Sequence, residues 1–145
     1  MLNLEIYGEP IPWKRPGRNT KTNIAYDTQK KEKDMVRWQI KSQYHGEPIG
    51  GPVFIHIVFG MPVPKGESKK RREQMLVDGI HHIKRPDNDN LQKFYFDCLT
   101  GPVLMDDSQI VDVRAQKRYT ITPFVSIRIV VLNRNYLSEQ DETSN

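Results

Sequence analysis

The stretch VFIHIVFGM, Val53 to Met61, constrains the fold most. Apolar residues occupy nearly every position, the pattern of a strand covered on both faces. Gly50, Gly51 and Pro52 precede it, and Pro62 and Pro64 end it. A strand of this kind needs partners. LNLEIY, Leu2 to Tyr7, alternates with one apolar face. QIVDVRAQKRY and FVSIRIVVL, separated by a turn at Pro123, supply two more strands, with Val125, Ile127, Ile129 and Val131 on one face of the last. NIAYD reads as a short strand returning from the Pro- and Gly-rich segment GEPIPWKRPGRNTKTN. His56, inside the central strand, reads as a satisfied core histidine rather than a ligand.

Three helices interrupt these strands. The first is expected from about Thr28 to Tyr44, capped by Asp27 or Thr28, with Val36, Ile40 and Tyr44 in one stripe and Met35 and Trp38 close to it. The second is capped by Ser68 and runs to about Val77. The third runs from about Asp89 to Thr100, ends at Gly101, and turns Leu91, Phe94, Tyr95, Cys98 and Leu99 inward. The pattern predicts the α+β class, a single domain over residues 1–136 with a mixed β-sheet flanked by helices. Residues 137–145, LSEQDETSN, read as a disordered polar tail.

The formal net charge is +4, which leans towards a polyanionic partner. The cations are grouped. Lys14, Arg15, Arg18 and Lys21 lie in the first loop, and Lys69, Lys70, Arg71 and Arg72 crowd the first turns of the second helix. There they oppose the helix dipole, so local stability does not account for them, whereas phosphate contact does. A single cysteine excludes a disulfide framework and a cysteine-based zinc cluster. Cys98 falls in an apolar run and reads as an inert buried thiol. The opening MLNLEIYGEP has no basic segment followed by a long apolar one, and no run approaches the roughly 20 residues that span a bilayer. The expected location is cytoplasmic, with no membrane partner.

Against that basic background the acids of KRPDNDNLQK, Lys84 to Lys93, stand out, as does the second pair in LMDDSQIVD. Acids at a helix start commonly cap it and favour its dipole. However, Asp87 and Asp89 are two apart in a segment read as still extended, so they point the same way. Lys93 follows Asp89 by one helical turn. If the Asp106–Asp107 turn folds against that helix start, several carboxylates converge. Two carboxylates ~4 Å apart repel by about 4 kcal/mol at an effective dielectric of ~20, so such a cluster raises a pKa, recruits cations or binds metal. Oxygen-only ligands suit Mg²⁺ or Mn²⁺. A calcium loop starting at Asp87 fails: Leu91 offers no side-chain ligand, Gln92 stands where glycine belongs and Cys98 where the bidentate Glu belongs. No serine sits in a G-x-S-x-G elbow. Metal-binding acids among basic loops point to phosphodiester hydrolysis, with Lys93 placed to stabilise developing charge.

At these residues the chain resembles the RusA family of Holliday junction resolvases, found in bacteria and their phages. The resemblance rests on KRPDNDNLQKFYFDCLTG followed by DDSQIVD, with support from GEPIPWKRPGR and MPVPKGESKKRRE. It extends over most of residues 2–132 and is densest from Lys84 to Asp112. It implies a homodimeric, Mg²⁺-dependent endodeoxyribonuclease that nicks paired strands of a four-way DNA junction. By position, Asp87, Asp89 and Asp107 match the family's catalytic acids and Lys93 its catalytic lysine. Asp106 fits the first acid of the pair and is carried as an additional metal ligand. Asn90 matches the motif's asparagine, and Lys84 and Arg85 the basic residues that contact DNA. Asn88 departs from the family, where that position is often aliphatic. The rival expectations are a nuclease acting on flaps, forks or plain duplex, a non-catalytic DNA-binding protein, and an interaction protein whose basic loops are merely solvated.

Overall fold

A computed structural model describes residues 1–132, so the expectation for the tail at 137–145 lies outside the described residues. The chain runs β1 (Leu2–Tyr7), β2 (Gly17–Arg18), β3 (Ala25–Tyr26), α1 (Lys30–Gln43), β4 (Val53–Pro62), α2 (Lys69–Leu76), α3 (Asn88–Leu99), a 3₁₀ turn (Asp107–Gln109), β5 (Ile110–Thr120) and β6 (Phe124–Val131). Four strands form one sheet in the order β1-β6-β4-β5. β4 and β5 are parallel, and the other neighbours are antiparallel. The mixed α+β sheet with three helices is thus as the pattern predicts. β2 and β3 form a separate two-stranded hairpin.

The parallel pair decides where everything else lies. A parallel connection must carry the chain back across the sheet, and here α2 and α3 do so. Leu4 and Ile6 of β1, Ile55, Ile57 and Phe59 of β4, and Val125, Ile127 and Ile129 of β6 share one buried cluster with α1 and α3. The Phe59 and Tyr95 rings meet at 5.8 Å, which fixes α3 over the centre of the sheet. Gly60 is needed where it stands, because a Cβ there would meet the Phe124 ring at 2.8 Å. Gly101, at φ +107°, ends α3 in the left-handed region that side chains avoid.

β4 departs from the expected two-sided burial. Val53, Ile55, Ile57 and Phe59 are buried, but Phe54, His56 and Val58 between them are half-buried. α1 and α3 pack on one face, and the other carries polar neighbours: Arg114 and Gln116 on β5, Ser126 and Arg128 on β6. His56 is satisfied but is not a core residue. Its Nε2 lies 2.9 Å from Gln116 Oε1 on this second face.

On α1 the stripe of Val36 and Ile40 is buried as expected, whereas Met35 and Trp38 are 62% and 72% exposed. One helical turn has room for a single inward stripe, and Gln39 and Gln43 flank it instead. Gln39 Oε1 accepts from Tyr7 N, and Gln43 bonds both Glu5 N and Glu5 O. These amides occupy backbone groups on the free edge of β1, which would otherwise template pairing with another chain.

Candidate active site at the head of α3

The site is built by the start of α3 and by the segments packed beside it. α3 begins at Asn88 with Asp87 as its extended N-cap, one residue earlier than the sequence suggests. Asp89 therefore belongs to the first helical turn, not to an extended segment shared with Asp87. Both carboxylates still stand at the positive end of the helix dipole, which favours them. The Asp87 side chain caps nothing. Neither acid enters an ion pair among the described residues.

Three residues, Asn88, Lys117 and Trp13, fix this helix head. Asn88 Nδ2 donates to Ala115 O of β5 at 3.1 Å, and Gln92 Nε2 donates to Asn88 Oδ1 at 2.9 Å. Asn88 thus docks the helix onto the sheet edge. Lys117 is half-buried and donates to Lys84 O at 2.9 Å and Pro86 O at 3.1 Å. It clamps the segment that leads into Asp87, through a cis Arg85–Pro86 bond. Burial lowers the Lys117 pKa while nearby Asp87 raises it. Trp13 N donates to Asn90 O at 2.9 Å, and the Lys93 ammonium sits 3.6 Å from the Trp13 ring centroid, a cation–π contact. Pro12, Trp13, Arg85, Pro86, Asp87 and Asn90 line one pocket of about 400 Å³.

The first loop is only partly the exposed basic loop the sequence suggests. Its first half is strapped down: Ile11 N donates to the Tyr95 hydroxyl at 3.0 Å. Gln29, 1% exposed, accepts from Lys14 N and donates to Pro12 O, both at 2.8 Å. That strap delivers Trp13 to the head of α3. Lys14, Arg15 and Arg18 follow on its exposed continuation. Arg18 Nη1 bonds Asn23 within the hairpin.

The structure does not bring every predicted residue to one place. Asp106 and Asp107 stand at the foot of α3. A helix that links parallel strands runs opposite to them, so its start and the start of the next strand lie at opposite ends. α3 has 12 residues and is about 18 Å long, which sets Asp107 roughly that far from Asp87 within one chain. Among the described residues no three Asp, Glu, His or Cys side chains gather as a metal site. The Asp106 carboxylate serves its own turn. It accepts from Ser108 Oγ at 2.5 Å and joins Gln109 in a capping box, and the Ser108 hydroxyl, with bonds from Asp107 and the Ser108 backbone, holds its pKa below the usual carboxylate value. Lys69, Lys70, Arg71 and Arg72 are exposed on α2, and Arg71 is engaged with Glu67 at 2.8 Å. Lys84 and Arg85 are exposed beside Asp87.

Sequence reasoning did not single out Trp13, Lys117 or Gln29. Lys117 had a signal: it occupies the apolar phase of β5, in step with Val113, Ala115 and Tyr119. Trp13, a large aromatic inside a Pro-rich strap, had a weaker one. Gln29 had none.

The family described as Endodeoxyribonuclease RusA matches residues 7–130. A curated relative, the uncharacterized protein YqaN of Bacillus subtilis (strain 168), is 31% identical over 134 residues. The match takes in 88% of this chain and 94% of that protein. The acids, the lysine and the basic approach at the head of α3 all fall inside the matched span, and the chain belongs to the RusA family of endodeoxyribonucleases.

Proposed function

We propose that the protein is a divalent-metal-dependent endodeoxyribonuclease that resolves four-way DNA junctions as a homodimer. The observation that carries this reading is the head of α3. Two carboxylates, Asp87 and Asp89, are left free of local capping and ion pairing there, beside Arg85, Trp13 and Lys93 in a chain of this family.

Two carboxylates fit the way Mg²⁺ is usually held, by one or two acids together with waters and substrate phosphate oxygens. Mn²⁺ suits the same oxygen donors. Asp87 and Asp89 would hold the ion, which when bound polarises the scissile phosphate and activates water. The chain's own residues do the rest. The helix N-terminus and its dipole draw the phosphate towards the acids. Lys93 stands one turn along the helix, where its ammonium can meet the charge that develops on a leaving oxygen. Trp13 offers a flat face next to Asp87. Lys84 and Arg85, with Lys14, Arg15 and Arg18 on the strap, hold phosphates to either side. Lys69, Lys70, Arg71 and Arg72 extend this basic surface along α2.

Asp107 enters from a second copy. Two α3 helices related by a two-fold axis and running antiparallel set the foot of one against the head of the other. A two-fold dimer also matches the near two-fold symmetry of a four-way junction and presents two equivalent sites. Asp106, bound up in its turn, then serves to hold Asp107 in place.

The test is a synthetic four-way junction with Mg²⁺, compared with a linear duplex of the same arms. Wild-type chain should nick the junction in paired strands, and Asp87→Asn should bind it without nicking. Equal cleavage of the duplex would transfer the protein to general or flap-type nucleases. Cleavage retained by Asp87→Asn would remove the proposed chemistry altogether.

A further inference from the structure

The second face of the sheet carries cations that the site at the head of α3 does not use. Arg128 of β6, His56 of β4 and Arg114 of β5 stand in cross-strand register, so three basic side chains form one row over three strands. Beside that row lies a cleft of about 670 Å³, lined by His56, His81, His82, Arg114, Lys117 and Arg118 among others. Asp78 is its one lining carboxylate among the described residues, and Arg118 already neutralises it at 2.6 Å. That bond holds the Asp78 pKa down and the Arg118 pKa up. The cleft therefore presents cations in excess. His82 adds a buried Nδ1 with no hydrogen-bond partner among the described residues, its ring 5.1 Å from that of Tyr119. The other acids of this face, Glu5 and Asp112, lie outside the lining. Asn88, the residue between Asp87 and Asp89, lines the same cleft. The cleft thus reaches the same helix head as the pocket that holds Trp13, with no lining residue in common.

We infer that this cleft and the Arg128–His56–Arg114 row form a second phosphate track, which holds the backbone of a DNA arm leading away from the cut. The inference rests on the nuclease reading above and adds the path of the substrate. The ligand is the phosphodiester backbone. The arginines of β5 and β6 and the histidine of β4, fixed on neighbouring strands, recognise phosphate charge without reading bases. Sequence-independent contacts of this kind suit an enzyme whose target is defined by branching.

The experiment uses the full chain and a fluorescent four-way junction in EDTA, so that no cleavage intervenes, with affinity measured over a series of salt concentrations. Arg114→Gln combined with Arg128→Gln removes two exposed cations from strand positions that carry no core packing. Lys30→Gln combined with Lys41→Gln on α1 is the control. The track predicts a loss in affinity of about tenfold for the first pair, and a salt slope shallower by about one for each lost phosphate contact. The control should stay within about twofold. Affinity and slope unchanged in the sheet variant, with wild-type binding intact, overturns the track and leaves the nuclease reading standing. A wild-type chain that shows no salt-dependent junction binding overturns both. If the sheet variant instead changes the sedimentation of free protein while the slope stays the same, the face joins two copies and the track is wrong.

Discussion

The two ends of α3 carry acid pairs that look alike in sequence and are used differently. At the foot, Asp106 is occupied by its own turn, with Ser108 and Gln109 as partners. Gln109 in turn accepts from Met105 N and Asp106 N and donates to Ile49 O and Gly51 O at 2.7 and 2.9 Å. The foot is a staple that ties the start of β5 to the entry of β4. At the head, Asp87 has the extended N-cap conformation, yet its side chain caps nothing. Asn88, Lys117 and Trp13 hold the backbone there by other means. A carboxylate whose lone pairs are spent on its own turn has little left for a cation. A carboxylate positioned by its neighbours keeps its lone pairs free.

The largest expected effect breaks this comparison at the head. Asp87→Asn or Asp89→Asn removes a charge that would hold the metal. Such stabilisation is worth several kcal/mol, so junction nicking should fall by about a hundredfold or more at 1.4 kcal/mol per decade. Gel-based nicking and binding assays check it. Activity within threefold of wild type for both variants would return these acids to the role of helix-dipole partners.

The next effect sharpens the part played by Asp107. Asp87→Asn and Asp107→Asn chains should each be inactive alone. If Asp107 serves the head of a second copy, mixing the two refolded chains regenerates one intact site per mixed dimer. About half of the dimers are mixed under random pairing of two-fold assemblies, so nicking should recover to roughly a quarter of wild type. A site completed within one chain recovers nothing on mixing.

Much of this molecule was legible in the sequence. The strands and helices announced themselves by period, and Ser68 caps α2 as read, its Oγ accepting from Arg71 N at 3.2 Å. The buried set Leu91, Phe94, Tyr95, Cys98 and Leu99 is the one the helical spacing gives. Two misreadings share one cause, which is that apolar residues in sequence do not state how many faces are covered. Phe54 and Val58 suggested a two-sided core strand, but sheet order and helix placement leave that face to Arg114 and Arg128. Trp38 suggested burial, but Gln39 and Gln43 were needed at the β1 edge. The separation of the acids was hidden for a topological reason. Only the parallel pairing of β4 with β5 places the start of β5 at the far end of α3.

Trp13 supplies a smaller effect at the head. Its ring holds the Lys93 ammonium at 3.6 Å, a contact worth about 0.5–1 kcal/mol at an exposed site. Trp13→Phe keeps a weaker aromatic face, and Trp13→Ala removes it. Nicking should therefore fall in the order wild type, Phe, Ala, by a few-fold overall. Single-turnover rates at saturating junction separate the loss of lysine positioning from weaker binding. Equal rates for the three would show that Lys93 is held elsewhere in the complex.

The smallest effects belong to groups that serve structure alone, and they show what the foot of α3 and the core should do. Asp106→Ala removes the Ser108 and capping contacts of an exposed turn, so the melting temperature should drop by no more than a few degrees. Nicking should fall far less than in Asp107→Asn, because on the proposed reading Asp106 braces the turn while Asp107 reaches the ion. Cys98 makes the same point inside the core. Burial pushes its thiol up to about 12, against the opposing pull of Arg37 and Lys33. The folded thiol therefore stays protonated at pH 9, where an unfolded chain begins to release that proton. Above that pH the unfolded state binds fewer protons than the folded one, so stability declines as pH rises, and buried Tyr95, also raised by burial, adds to the decline above pH 10. Iodoacetamide labelling at pH 8.5 checks the thiol directly: alkylation should be slow in the native chain and fast in urea. Rapid native labelling would mean that α3 opens readily from the sheet, and the rigid spacing between its two acid pairs would go with it.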